Sequence, residues 1–469
     1  MTTKLAAHER PAFYNAVRAV RLGDVAQSMK NGIYKSKDAY ADEGVACLRM
    51  YNIGDGRIIW RDIKRMTLSE LERTEYGLEP GDLLVNRVNS RELVGKTALV
   101  PPGIERCVFE SKNIRVRLDR NLVEPAYVNY ALLALGRAHF NQNAQQVVGM
   151  ASVSQPQVAA FQFLLRPVAQ QREVVAYLDE QLSRLDASVA ALHRVQANLK
   201  RYRASVLKSA CEGRLVPTEA ELTRQEGRDF ETGAQLLNRI LASRRTKVAG
   251  RVKSKDPMPI DCADDSAVPE GWTSAYVCQL GVVTTGFTPS TADPANFDGD
   301  VPFFKPTDLD AGYFTREARQ TLSLKGLSSG RLLPRGSVLV TCIGATIGKA
   351  GLAQVDCATN QQINAITVER EHVLAEYLFW FMSSPDSQRA IRENASSTTL
   401  PILNKSKFER LTVPLPPLAE QHRIVAEADR RLSLIRAAEA QVAANLARAQ
   451  RLRQSILQAA FRTPAQAGQ

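Results

Sequence analysis

The sequence predicts an α+β protein of two related globular units, each followed by a long helix, with the two helices paired antiparallel as a coiled coil. Three observations carry this. The chain has 469 residues, too many for one ordinary core and enough for two or three domains. It repeats itself: a shift of 250 positions aligns residues 169–211 with 419–461 without a gap, and 15 of the 43 positions are identical, where chance gives about 2 or 3. Within that repeat, apolar residues recur every three or four positions in a stripe too narrow for a globular core.

The helix in the first copy follows from its stripe, Val175, Leu178, Leu182, Leu185, Val189, Leu192, Val195, Leu199, Tyr202 and Val206. The second copy keeps Val425, Ala428, Leu432, Ile435, Val442, Leu446, Ala449, Leu452 and Ile456, but has Glu439 where the first has Val189. Pro167 and Pro417 mark the starts, and Gly213 and Pro464 the ends. At 1.5 Å per residue each helix is roughly 60 Å long. Equal length and shared register make the two copies natural partners for each other.

The globular units diverge more. Short β-rich runs alternate with turn-rich loops, and helical stretches follow at 125–138 and 373–383. The duplication survives there in fragments: 45–53 against 301–309, Gly81 against Gly336, and Gly95-Lys96 against Gly348-Lys349. The boundaries expected are 1–166 for the first unit, 167–213 for its helix, 214–268 for a linker, 269–415 for the second unit, 416–463 for its helix and 464–469 for a tail. In the linker, Leu236, Leu237, Ile240 and Leu241 sketch one short amphipathic helix. A basic run follows, Arg244, Arg245, Lys247, Arg251, Lys253 and Lys255, suited to a solvated face or to phosphate.

A net charge of +12 and a pI near 9.4 point to a polyanionic partner. The first residues have no apolar run that would make a secretory signal, and no stretch is long enough to span a membrane. The seven cysteines are scattered without Cys-x-x-Cys spacing, which fits a reducing cytoplasm and no zinc site. Catalytic signatures fail on inspection. Gly95-Lys96-Thr97 resembles the end of a phosphate-binding loop, but the glycine required five residues earlier is Ser90. No dinucleotide fingerprint follows a strand, no Asn-Pro-Pro-Tyr tetrapeptide is present, and the five histidines lie too far apart for a metal cluster. The chain reads as a binder.

Several segments resemble the specificity subunit of a Type I restriction-modification enzyme. They are the second helix start, Pro414-Leu-Pro-Pro-Leu-Ala-Glu-Gln-His-Arg-Ile-Val425, its degenerate first copy from Arg166 to Val175, Gly286-Phe-Thr-Pro-Ser290, Gly344-Ala-Thr-Ile-Gly-Lys349 and Asn360-Gln-Gln362. The first unit has no clear Gly-x-Thr-Pro-Ser, and Ser111-Lys112-Asn113 is a loose counterpart of residues 360–362. The resemblance implies two pseudo-twofold-related target recognition domains separated by the helices, each reading half of a bipartite, asymmetric double-stranded DNA site. It implies no catalysis and no cofactor in this chain. The partners implied are two modification subunits that carry S-adenosylmethionine and two restriction subunits that use ATP and Mg. The other readings are a specificity chain serving a stand-alone nuclease-methylase and, from another class, a structural coiled-coil scaffold.

The residues expected at DNA are Arg49, Tyr51, Asn52, Arg87, Asn89, Arg91 and Lys96 in the first unit, and Lys305, Thr307, Asp308, Thr346, Lys349, Gln361 and Gln362 in the second. Arg, Asn and Gln make paired hydrogen bonds to guanine or adenine edges, whereas Lys96 and Lys349, each after a glycine, suit phosphate. The residues expected to dock the modification subunits are Ala169, Val174, Ala176, Ala419, Ile424 and Ala426, small or apolar and near the helix starts.

Overall fold

The computed structural model describes residues 17–147, 149–249, 268–396 and 400–461. Contacts divide the chain into two units, one of residues 1–193 with 443–469 and one of residues 194–442. Each long helix therefore contributes one half to each unit. No described helix is long and apolar enough to cross a membrane.

The first unit centres on four antiparallel strands in the order Ala26–Asn31, Asn113–Leu118, Leu83–Asn86 and Thr97–Leu99, extended by Gly56–Ile58 and Ile53–Gly54. All four residues of Leu83–Asn86 are buried, as expected of a strand covered on both faces. One cover is the helical run Pro125–Ala131, Leu132–Gly136 and Arg137–Asn143, whose middle segment is a π-turn. The other is a small sheet in which Val45–Leu48 pairs in parallel with Cys107–Phe109. Tyr127, Phe140, Phe161 and Phe163 fill the core.

The second unit rebuilds this arrangement with different side chains. Gly281–Thr285, Ile363–Val368, Val338–Thr341 and Ala350–Leu352 form the same four-stranded order. Ala375–Met382 and Pro385–Asn394 take the place of the helical run, and Phe297–Phe304 pairs in parallel with Ala358–Thr359. In each unit the last strand pairs with the first, Gln162–Leu165 with Arg18–Arg21 and Thr412–Leu415 with Thr273–Tyr276. That last strand then runs through proline into the long helix.

The long helices span Val168–Cys211 and Leu418–Phe461. In the first unit Val174, Leu178 and Leu182 of one helix share a core with Leu457 and Phe461 of the other. In the second unit Val206, Leu207 and Ala210 share a core with Ile424, Ala428, Leu432 and Ile435. The start of each helix thus meets the end of the other, as antiparallel pairing requires. Burial is greatest towards the ends. Val195 (43% exposed), Tyr202 (49%) and Leu452 (47%), expected in the seam, are open to solvent. A two-helix seam covers only one side of such residues, whereas near its ends a globular unit covers the other.

The linker is more ordered than its composition suggests. Besides the expected helix, which runs over Gly233–Ala249, a second covers Glu219–Glu226 behind a Thr218 capping box. Leu236 and Ile240 are buried in the second unit's core. Arg244, read as part of a solvated or phosphate-binding run, donates to the carbonyls of Cys278 and Gln279, and burial holds its guanidinium below the usual range. It satisfies backbone acceptors and is not free for phosphate. Arg251, Lys253, Lys255 and Cys262 lie outside the described residues. Glu219 accepts from Arg423 and Arg228 at 2.6 and 2.7 Å. Burial would raise its carboxyl, but the two guanidinium groups hold it below the usual value.

One residue ties each long helix to its unit. Gln421 is fully buried; its side-chain oxygen accepts from Leu374 N at 2.9 Å and its amide donates to Pro416 O at 3.1 Å. Replacing it with Leu strands buried backbone groups, each costing ~1–3 kcal/mol. Gln421→Leu is expected to lower stability by at least that much in a denaturation series, while His422→Leu, at an exposed position of the same turn, leaves it unchanged.

Candidate nucleic-acid interface

Antiparallel order brings four loops to one end of the central sheet in each unit, and the same backbone hydrogen bonds wire them together. In the first unit Gly32 N donates to Asn113 O (3.1 Å), Ile33 N to Phe109 O (2.9 Å), Glu110 N to Leu48 O (3.0 Å) and Arg87 N to Lys112 O (2.8 Å). In the second, Gly286 N donates to Ile363 O (3.0 Å), Phe287 N to Thr359 O (2.8 Å), Asn360 N to Phe304 O (3.1 Å) and Cys342 N to Gln362 O (2.7 Å). The match is residue for residue.

It corrects one sequence reading and adds to another. The shift of 250 extends upstream to these strands, so the counterpart of Asn360-Gln361-Gln362 is Glu110-Ser111-Lys112, one residue before the segment expected. The first unit also has an equivalent of Gly286-Phe-Thr-Pro-Ser290, namely Gly32-Ile-Tyr-Lys-Ser36. Both glycines are forced by close approach: a Cβ on Gly32 would lie 2.2 Å from Glu110 O, and one on Gly286 2.1 Å from Asn360 O. Glycine was the signal that identified this loop, and divergence of the following residues hid it.

The Gly-Lys pairs are turn residues. Gly95 N donates to Asn86 O and Gly348 N to Thr341 O, each at 2.8 Å, with φ of +82° and +88°, a region that favours glycine. The lysines differ. Lys96 makes no ion pair among the described residues, and burial lowers its pKa, with Asp55 opposing. Lys349 is held by Asp310 at 2.7 Å, so it meets phosphate only by exchanging a carboxylate.

The remaining candidates divide by burial. Arg49 donates to Asp62 O at 3.0 Å and lies over the exposed ring of Tyr51, 5.6 Å from its centroid. Arg87 is half-buried and Arg91 exposed, and neither forms an ion pair among the described residues. Thr307 and Thr346 are exposed. Lys305 is exposed and donates to Gln320 at 2.7 Å. Gln361 is exposed and accepts from Thr288, while Gln362 is half-buried and accepts from Asn360 at 2.8 Å. Asn52, Asn89 and Asp308 are corrections. Asn52 is 1% exposed and donates to Ile59 O and Arg61 O at 3.0 and 2.9 Å. Asn89 is 5% exposed and donates to Asn86 at 2.7 Å. Asp308 accepts from Lys305 N at 2.8 Å. Their polar atoms hold the loops and are not available to bases. Sequence reasoning missed the hairpin Gln145–Val147 and Met150–Ser152, which adds to Val88–Asn89 beside Arg91 and presents exposed Gln145 and Gln146.

On the helices Ala169, Ala176, Ala419 and Ala426 are exposed. Val174 and Ile424, expected to face a partner, are instead 3% and 0% exposed within the two cores. Each lies on the side of its helix turned to the globular unit.

The fold and the paired loop ends define a class with a known counterpart. Residues 269–434 match the family of the Type I restriction modification DNA specificity domain, and the chain is similar to specificity subunits of Type I restriction enzymes. Among its relatives, the EcoBI specificity subunit of Escherichia coli is 27% identical over 308 residues, 64% of this chain and 57% of that one. The HindI specificity subunit of Haemophilus influenzae is 32% identical over 152 residues, 32% of this chain and 33% of that one. The chain thus spans less than two thirds of either relative. A chain solved in work on complex assembly and conformational transition of the type I R-M system has the same fold, with a TM-score of 0.62, 19% identity and 97% of this chain covered.

The Lys349–Asp310 pair yields a test. Asp310→Asn frees the ammonium group, so affinity for every duplex is expected to rise and the slope of log affinity against log salt to steepen by about one. Titrations with random-sequence duplex over a range of salt measure both.

Proposed function

We propose that this chain is the DNA-recognition subunit of a Type I restriction-modification complex, in which each unit reads one half of a bipartite, asymmetric site. The observation that carries it is the conserved wiring of four loops at the sheet end of both units, with different side chains on each copy. Rigid loop bases with variable tips suit two different readings by one architecture. The basic balance supplies sequence-independent attraction to phosphate. The chain itself is non-catalytic and binds no cofactor. Two modification subunits supply S-adenosylmethionine and adenine methylation, and two restriction subunits, where present, supply ATP- and Mg-dependent cleavage. Methylated adenines mapped in DNA from cells expressing the whole system are expected to fall in two short defined elements separated by a fixed gap. Methylation without such a gap contradicts two-headed reading.

The modification subunits dock on the exposed alanine face near the helix starts. Ala426→Asp is expected to reduce co-purification with the modification subunit at least tenfold while leaving the melting temperature of the chain unchanged. Ile424→Asp, in contrast, unfolds the second unit, because it buries a charge in the core.

The helices set the gap between half-sites. The ion pairs Asp186–Arg453 and Arg203–Glu439 fix which levels of the two helices face each other, so a deletion must remove opposed segments. Taking out residues 190–196 together with 444–450 keeps both ion pairs and shortens each helix by about 10 Å. The preferred gap is expected to contract by roughly 3 base pairs at about 3.4 Å each. Methylome mapping that finds only the original gap would show that the partner subunits set it.

A further inference from the structure

The loop equivalence places an unassigned aromatic residue at the reading end of the first unit. Tyr34 occupies the position of Thr288, two residues after the glycine that closes against the sheet. Thr288 spends its hydroxyl on Gln361. Tyr34 makes no hydrogen bond or ring contact among the described residues and is 83% exposed, the highest value of any large hydrophobic side chain described. A lone exposed aromatic is ordinary on a protein surface, so exposure by itself assigns nothing. Three further features distinguish this one.

First, the backbone that leads into it is held from both sides. Gly32 N donates to Asn113 O and Ile33 N to Phe109 O on one side, and Ile33 O accepts from Ser111 N at 2.9 Å on the other. The Cβ of any other residue at position 32 would strike Glu110 O and Phe109 O. Second, the same hydrogen bonds bring the Tyr34 loop against the segment 110–112, whose Lys112 is an exposed cation without an ion pair among the described residues. The neighbouring Lys35 differs, being paired with Glu72 at 2.6 Å. Third, the next loop at this end presents another exposed aromatic over a cation, Tyr51 (67% exposed) with Arg49. The first unit therefore offers large aromatic faces and unpaired cations where the second offers Thr288, Gln361 and Gln362.

We propose that Tyr34 is a base-contacting, specificity-determining residue of the first half-site and that Lys112 holds a flanking phosphate. Fixed presentation limits the entropy lost on contact. A tyrosine ring offers apolar surface to a thymine methyl or a base step, and its hydroxyl a donor and an acceptor for a base edge. Lys112, a point charge on a flexible stem, suits phosphate. The proposal rests on the DNA-recognition reading above.

The test uses the full chain with its modification subunits and a pool of random-sequence duplex DNA, with bound duplexes sequenced and their affinities measured. Tyr34→Ala is expected to lose about tenfold in preference at one or two adjacent base pairs of one half-site, keeping the other half-site and the affinity for random duplex. Tyr34→Phe separates the ring from the hydroxyl: retained preference assigns the contact to the ring, and loss equal to that of Tyr34→Ala assigns it to the hydroxyl. Lys112→Gln is expected to weaken all duplexes alike and to reduce the salt slope by about one. Unchanged selection by Tyr34→Ala, with the wild-type complex selecting a bipartite site, overturns the role of Tyr34 and leaves the recognition reading intact. A wild-type complex that selects no sequence overturns both.

Discussion

The arrangement of this protein depends on a buried glutamine at the first turn of each long helix. Gln171 and Gln421 occupy the same place in the repeat, and both are fully buried. Gln171 accepts from Glu124 N at 2.8 Å and donates to Leu122 O and Arg166 O at 3.1 and 2.7 Å. Gln421 uses its oxygen on Leu374 N and its amide on Pro416 O in the same way. One side chain thereby joins three segments: the strand end before the helix, the helix itself and the turn that starts the helical cover of the sheet. An amide is suited to this because it donates and accepts at once, and in a buried place each unmade bond is expensive. Tyr127 and Tyr377 add a second tie, donating to Leu164 O and Pro414 O at 2.7 Å in both copies. With the helix direction fixed by these bonds, a rod becomes an extension of a globular core.

The rods are symmetric in their apolar residues and asymmetric in their charges. Arg453 pairs with Asp186 in the first unit. Its duplicate Arg203 would by the same symmetry face position 436, which holds Arg436. That guanidinium instead lies over the ring of Phe314, 5.1 Å from its centroid, and Arg203 turns to Glu439 at 2.6 Å. Glu439, the one charged interruption of the second seam, is thereby accounted for as the counter-charge that the symmetric position does not supply. Partly exposed pairs of this kind contribute about 0.2–1 kcal/mol. Their stronger effect is on register, because a slip along the seam would leave them apart.

The two globular units show how sequence diverges around a constant backbone. Gly32 and Gly286 persist because the carbonyls beside them leave no space for a side chain. Gly95 and Gly348 persist because the turn needs positive φ. Between these fixed points the tips differ in charge and size, and among the described residues the first unit's central sheet carries two further strands, Gly56–Ile58 and Ile53–Gly54. The loop tips are thus free to differ while the frame beneath them is not.

Much of this was legible in the sequence. The repeat, the helices and their antiparallel pairing, and the glycine-bounded loops of each unit follow from periodicity, proline punctuation and glycine, all of which act locally or through matched length. The rest was decided by tertiary structure. Asn52, Asn89 and Asp308 have the composition of reading residues, yet their side chains close their own loops, and only the folded loop determines whether an amide points in or out. Val174 and Ile424 lie beside the seam in sequence, but the globular unit covers that side of the helix as well. The linker's second helix owes its place to Glu219 meeting Arg423, some 200 residues away. Sequence spacing specifies which residues share a face; what that face meets depends on segments far along the chain, whose contacts exist only after folding.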